Sequence, residues 1–477
     1  MYKILLVISS AIIASTLFSS CQKDSVLPNT EELSLSDDST NQSHKMATIT
    51  YTMPDENQPH EGTWLQWPHQ YTYGLTYRNR LDQTWVKMTK ELVSSEKVHI
   101  IAYNTTEKNR IITLLNNASV PLTNVDFRIF QTNDVWVRDN GPIYVKDNAN
   151  ILKITDWKFN GWGNKASYTK CNIIPMSVGT ATAKTVINLN NSLCLEGGAF
   201  EIDGKGTFLA TKSAILNSNR NPNITQAQAE AILTTNLGVT KFIWLDGVAG
   251  LDITDMHIDG FAKFVNSTKL VTMNTNDLLD WGVPQSDITK LFAAKNKSNV
   301  TYTKIYVPQT ANNVVTAYGK NLGYKGSYCN YYVANNKVLV PNYNDPNDAV
   351  ANAIIQNLYP GRTVVGIDCR NLYENGGMVH CVTQQQPVAG AVGIEEDQAN
   401  ALDSKLFPNP ANTNLFLTFT GKTASVSILN AFGEEVIQLE NYVTHQKIDI
   451  AQLVTGIYYV KITNDKNETS VKKFVKE

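Results

Sequence analysis

The sequence predicts an α/β domain followed by a small all-β module. Two observations carry this reading. From about Thr48 to Val388, short apolar runs alternate with amphipathic stretches, the pattern of strands and helices stacked in layers. Past residue 404 the chain becomes a series of short, mostly apolar runs separated by turn or polar residues, which predicts a small β-sandwich. A length of 477 residues also exceeds one ordinary domain.

Taken in order, residues 1–21 read as an export signal. Lys3 gives the positive start, Ile4 to Phe18 is mostly apolar, and Ser19 and Ser20 precede Cys21. The apolar run is too short to span a membrane comfortably. Ser19-Ser20-Cys21 also reads as a lipoprotein cleavage site, with lipid on Cys21; plain cleavage beside an incidental Cys is the alternative. Residues 22–47 are rich in Ser, Asp, Asn and Thr, a composition too polar to fold alone, and are expected to form a disordered tether.

Residues 48–388 form the expected main domain. Val98 to Tyr103 reads as a strand and Asn109 to Asn116 as a short helix. Lys337 to Pro341 and Thr363 to Ile367 are further strands. Between them Ala349 to Leu358 reads as a helix, with Asp345 or Asn347 as its N-cap and Pro360-Gly361 ending it. Residues 389–404 are acidic and small, a linker. In 405–477, strands are expected at Leu415–Phe419, Ala424–Leu429, Val436–Leu439, Lys447–Ile450 and Ile457–Ile462. No exact internal repeat is visible.

Composition narrows the function. Hydrophobic residues make up 42% and charged residues 18%, as in globular proteins. A net charge of -2 gives no reason to expect nucleic acid or an anionic membrane as partner. Zinc-type Cys/His spacing, a phosphate-cradling glycine loop and a di-metal carboxylate pattern are all lacking. Without Cys21 five cysteines remain, an odd number that leaves at least one free thiol in an exported protein; one or two disulfides fit the others.

Four motifs carry chemistry. In Asn133-Asp-Val-Trp-Val-Arg-Asp-Asn-Gly-Pro142, Asp139 follows an aromatic-and-Arg strand and precedes a turn; Arg138 and Asp139 read equally well as a structural pair. In Leu195-Glu-Gly-Gly198 the glycines let backbone approach closely beside Glu196, and Asp203-Gly204 signals a hairpin turn. In Thr254-Asp-Met-His-Ile-Asp-Gly260 an extended strand would put Asp255, His257 and Asp259 on one face, suited to proton transfer or to a solvated edge. In Glu374-Asn-Gly-Gly-Met-Val-His-Cys-Val-Thr-Gln-Gln-Gln-Pro387, Cys381 follows a glycine pair; a buried structural Cys is the plainer reading. Strand neighbours face opposite ways, so His380 is not paired with Cys381.

A thiol, an imidazole and several carboxylates are what guanidine hydrolysis requires. The group is a planar cation that needs carboxylates on its edges, a nucleophile over its carbon, and an acid/base for ammonia and water. Together, in this order, the motifs resemble the agmatine deiminase family, with bacterial peptidylarginine deiminases as its secreted kin. Further matches are Met53-Pro-Asp-Glu56, His60-Glu-Gly-Thr-Trp-Leu-Gln-Trp-Pro68, Trp157-Lys-Phe-Asn-Gly-Trp-Gly163, Asn219-Arg-Asn-Pro222 and Tyr359-Pro-Gly-Arg362, so the resemblance runs from about Met53 to Pro387.

That resemblance implies a five-bladed α/β propeller with a central site and no metal or organic cofactor. It implies Cys381 as nucleophile, His257 as acid/base, Asp139 and Asp259 as guanidinium clamps, and Glu196 supporting the His. Trp136, Trp162 and Asn330 become substrate contacts. The implied reaction turns agmatine into N-carbamoylputrescine and ammonia. The peptidylarginine enzymes hold a C-terminal carboxylate with two arginines soon after the first catalytic aspartate. Here that stretch is Asn160-Gly-Trp-Gly163, without Arg, which favours a decarboxylated amine. Peptidyl-arginine, or an inactive surface binding protein, are the alternatives.

The tail resembles the C-terminal sorting domain of type IX secretion cargo at Phe407-Pro-Asn-Pro410, Asn430-Ala-Phe-Gly433 and Gly456-Ile-Tyr-Tyr-Val460. This implies export across the outer membrane of a Gram-negative bacterium, with residues 405–477 meeting the type IX machinery and the product secreted or surface-attached. No transmembrane helix is expected in the mature protein. A generic β adhesion module is the alternative for the tail.

Overall fold

The computed structural model describes residues 50–389, 402–430, 435–466 and 468–477. The expected signal, Cys21, the tether, residues 390–401 of the linker and residues 431–433 of the middle tail motif lie outside them.

Five small mixed sheets follow one plan. Each pairs an entering strand antiparallel to a central strand, and the central strand lies parallel to a third. In chain order the entering, central and third strands are Ile143–Lys146, Leu152–Lys158 and Val186–Cys194. Next come Phe200–Ile202, Thr207–Thr211 and Lys241–Leu245, then Ala262–Asn266, Lys269–Thr272 and Thr303–Tyr306. Tyr332–Val333, Lys337–Asn342 and Thr363–Asp368 follow. The remaining sheet uses the two ends of the domain: Gln384–Pro387 enters antiparallel to His60–Gln66, which runs parallel to Lys97–Ala102, itself parallel to Val125–Ile129.

Parallel neighbours cannot be joined by a tight turn, so a helical crossover links each central strand to the next. Gln70–Leu92, Ile174–Thr182, Gln226–Leu237 and Asn347–Leu358 are such crossovers. The first buries Leu81, Trp85, Met88 and Leu92, spaced to one helix face. These pack in one cluster with Val98, Ile100 and Ala102 of the adjoining strand. Each large side chain so buried contributes about 2 kcal/mol. Gln226–Leu237 starts with a capping box between Thr225 and Gln228 and stops at Gly238, whose φ of 73° suits glycine.

Most expected elements lie within a residue or two of their positions, with instructive exceptions. The helix anticipated at Ala349 starts at Asn347, after Pro346; of the two expected caps it is Asp345 whose side chain serves, its Oδ1 accepting from the Asn347 N–H at 2.9 Å while Asp348 Oδ2 accepts from the Asp345 N–H. The tail holds two antiparallel sheets, built from Ser404–Phe407, Asn414–Phe419 and Ile448–Asp449, and from Glu435–Tyr442, Ala424–Leu429, Gly456–Asn464 and Thr469–Lys476. Alternate residues Leu415, Leu417, Val426, Ile428, Val460 and Ile462 share one core, as a period of two requires. Ser404–Phe407 and Thr469–Lys476 were not anticipated. Leu402 is buried in this core, so ordered tail begins inside the stretch expected to be linker. All five described cysteines are free thiols, which removes the disulfides entertained for them. Among the described residues no helix is long and apolar enough to cross a membrane.

Candidate active site

The shared plan of the sheets puts the chemistry together. Each entering strand is preceded by a short non-strand segment, a single helical turn in four of the five, and these segments carry the candidate site residues. Asp139 sits in Val137–Asn140 before Ile143, and Glu196 precedes Gly197–Ala199 before Phe200. His257 and Asp259 bracket the turn Ile258–Gly260 before Ala262. Asn330 stands just ahead of Tyr332, and Cys381 lies in His380–Val382 before Gln384.

Asp139, His257, Asp259 and Cys381 line one pocket of about 580 Å³, measured out to its mouth, walled by Trp136, Trp162, Trp281, Ile253 and Met378. The Cys381 thiol faces Asp259 Oδ2 at 3.8 Å and accepts from Asn330 Nδ2 at 3.4 Å. His257 Nε2 meets Glu196 Oε2 at 3.0 Å, and its Nδ1 lies 3.7 Å from Asp139 Oδ1. Asp139 accepts from the Gly198 N–H and from Trp162 Nε1, both at 3.0 Å. Glu196 is tied by Arg220 Nε at 3.0 Å. Gly198 is the floor: a Cβ there would stand 2.7 Å from Asp139 Oδ1 and 2.8 Å from His257 Nδ1.

The third motif is not a strand. Asp255 and Met256 have φ of 60° and 74°, and this left-handed bend turns Asp255 out of the pocket. Its carboxylate pairs with Arg220 and Lys165 and accepts from Gly250 N–H. Asp255 therefore does not share a face with His257 and Asp259; it anchors the loop that carries them. Likewise Asp139 and Cys381 sit on tight turns rather than beside extended runs.

With this geometry in place, likeness to known proteins becomes informative. A family model for Porphyromonas-type peptidyl-arginine deiminase matches residues 52–387. The chain belongs to that family. A second model, for a secretion system C-terminal sorting domain, matches residues 405–477. A candidate agmatine deiminase of Latilactobacillus sakei is 31% identical, over 71% of this chain and 96% of its own. The agmatine deiminase of Pseudomonas aeruginosa is 28% identical, over 71% and 95%. Among solved structures, an agmatine deiminase of Enterococcus faecalis superposes with a TM-score of 0.64 at 23% identity, covering 71% of this chain and 96% of that one.

As a member of this deiminase family the protein is a guanidine-modifying hydrolase by homology, related to enzymes acting on amidine C–N bonds. Its α/β domain of repeated small mixed sheets is the family's fold, and its sorting domain marks it for secretion or surface attachment through the type IX machinery.

Electrostatics divide the deiminase site. Burial disfavours charge on His257, but Asp139, the hydrogen bond to Glu196 and Asp259 outweigh it and raise the imidazole to about 9. Burial pushes the Cys381 thiol well up, and Asp259 and Asp139 push it further. Behind the pocket lies a buried ionic cluster that motif reading missed. His380 Nδ1 meets Asp259 Oδ2 at 2.9 Å and its Nε2 meets Glu56 Oε2 at 2.8 Å. Lys263 reaches Glu56 at 3.2 Å and Glu201 at 3.3 Å, and Arg138 reaches Glu56 at 3.3 Å. Glu56 lay within a matched motif, so its position was signalled though its role was not. Trp281 carried no signal.

Proposed function

We propose that the protein hydrolyses the guanidine of agmatine to N-carbamoylputrescine and ammonia through a covalent intermediate on Cys381. The observation that carries this reading is one small pocket holding a sulfur, an imidazole and three carboxylates, Asp139, Asp252 and Asp259, with no Lys or Arg among its lining residues. Such a lining favours a cationic ligand and gives a carboxylate no partner.

Asp139 and Asp259 accept charge-assisted hydrogen bonds from the guanidinium. The bound cation favours the thiolate, and the thiol proton leaves to solvent. Sulfur attacks the central carbon. The His257 imidazolium, oriented by Glu196, gives its proton to one amino group, which departs as ammonia and leaves a cationic amidino-thioether. Neutral His257 takes a proton from water as the oxygen attacks the same carbon. Collapse breaks the C–S bond, restores the thiolate and releases the ureido product with a proton. Trp136 and Trp162 cover the alkyl chain, and Asn330 orients the sulfur. The scheme uses no metal or organic cofactor.

In this reading the five sheets are the blades of a five-bladed propeller spanning 48–388, and the tail from Leu402 is a β-sandwich. The test is ammonia release from agmatine, free arginine and an arginine-terminated peptide, with agmatine giving the highest kcat/KM. A peptide preference would select the second reading, secreted peptidylarginine deimination, which the sorting domain favours. No release from any of the three would leave a binding protein.

A further inference from the structure

The acidic group nearest the Cys381 sulfur is Asp259 Oδ2, at 3.8 Å. A carboxylate there holds the substrate's guanidinium but opposes the thiolate that must attack it. The same oxygen accepts from His380 Nδ1. His380 is 2% exposed and lies behind Asp259, outside the pocket lining. Its Nε2 is 2.8 Å from Glu56 Oε2 and 3.2 Å from Lys263 Nζ. Burial opposes charge on Glu56, but Lys263, His380 and Arg138 hold it well below the usual carboxylate range. Lys263 reaches both Glu56 and Glu201. Each ring nitrogen of His380 thus faces one carboxylate oxygen, Nδ1 that of Asp259 and Nε2 that of Glu56. The ring's backbone is fixed too: its N–H donates to Asn330 Oδ1 at 2.9 Å, and Arg138 Nε donates to its carbonyl at 3.3 Å. Asn330 thus touches both His380 and the sulfur.

Resting on the deiminase reading, we infer that His380 is a positioning residue. By donating to Asp259 Oδ2 it fixes that carboxylate, offsets its charge where the sulfur faces it, and leaves Oδ1 for the substrate. Glu56, braced by Lys263 and Arg138, holds the ring in place. The side chain touches no substrate atom; its effect passes through Asp259.

Two variants separate this from a merely structural role. Asn in place of His380 keeps a donor near Nδ1, toward Asp259. Gln keeps one near Nε2, toward Glu56. His380→Gln is expected to lower kcat by roughly 100-fold, the scale of a misplaced reacting group. His380→Asn is expected to stay within about 10-fold of wild type, with both variants melting alike. Asp259, Glu56, Lys263, Arg138, Glu201 and Cys381 surround the ring, so the reporter must be the sulfur itself. Alkylation of Cys381 by iodoacetamide across pH should show a higher apparent thiol pKa in His380→Gln than in His380→Asn. Equal kcat and equal alkylation profiles in the two variants would overturn the assignment. Because alkylation needs no turnover, a shifted profile in a protein inactive on every guanidine would sink the deiminase reading and leave the positioning role standing.

Discussion

Asp139 and Asp259 enter one pocket from different sheets, and their surroundings are opposite. Asp139 is buried with only an amide N–H and an indole N–H on its oxygens. Burial, with Asp259 and Glu196 adding to it against the pull of His257, raises it to about 6. Asp259 is as deeply placed, yet His380, His257 and Arg138 outweigh its burial and lower it. One carboxylate is thus charged in advance, while the other becomes fully charged only near neutrality or when a cation arrives. Identical side chains in matching turns acquire different duties from what stands behind them.

The largest expected effect tests whether either carboxylate matters without the sulfur. Cys381→Ala should abolish turnover by about 10⁴-fold or more, and mass spectrometry of quenched wild type should find the amidino adduct on Cys381. Next comes the comparison itself. Asp259→Asn, removing the permanent charge, should lower kcat/KM by about 10³-fold and Asp139→Asn by about 10²-fold; equal losses would erase the distinction.

The pH profile sharpens it. Activity should rise as Asp139 ionises through about 6 and fall as His257 loses its proton through about 9. Both groups also make the fold less stable as pH rises, over different ranges. His257 is raised above its ordinary 6.5, so its stabilising charge is complete below that value and lost as pH climbs through about 9. Asp139, also raised, makes folding less favourable as pH climbs toward 6. A kcat/KM profile flat from pH 5 to 7 would remove Asp139 from the clamp. The smallest effect should come from Trp162→Phe, which deletes one hydrogen bond to Asp139: about 1 kcal/mol, read as a roughly five-fold fall in kcat/KM.

At the site, side-chain identity was legible in the sequence; local conformation was not. Asp139, Glu196, His257, Asp259 and Cys381 do converge. The spacing of Asp255, His257 and Asp259 suggested a strand because a period of two is the simplest way to align them, but Asp255 and Met256 have positive φ, and the Asp255 carboxylate is held by Arg220 and Lys165, far along the chain. His380 was set aside on the same strand logic; in a tight turn adjacent side chains can serve one site, here through Asp259. The repeated plan was invisible because the five sheets keep hydrogen-bond geometry and turn placement while sharing few residues. The tail's Thr469–Lys476 carries three lysines among few apolar side chains, too little pattern to announce a strand.

Gln384–Pro387 seals the first sheet against His60–Gln66, and Cys381 lies three residues before that seam. Ribosomes therefore deliver this thiol last among the pocket residues, on the very segment that joins the domain's two ends. A chain cut short before this point loses the pocket's thiol and the closing strand together.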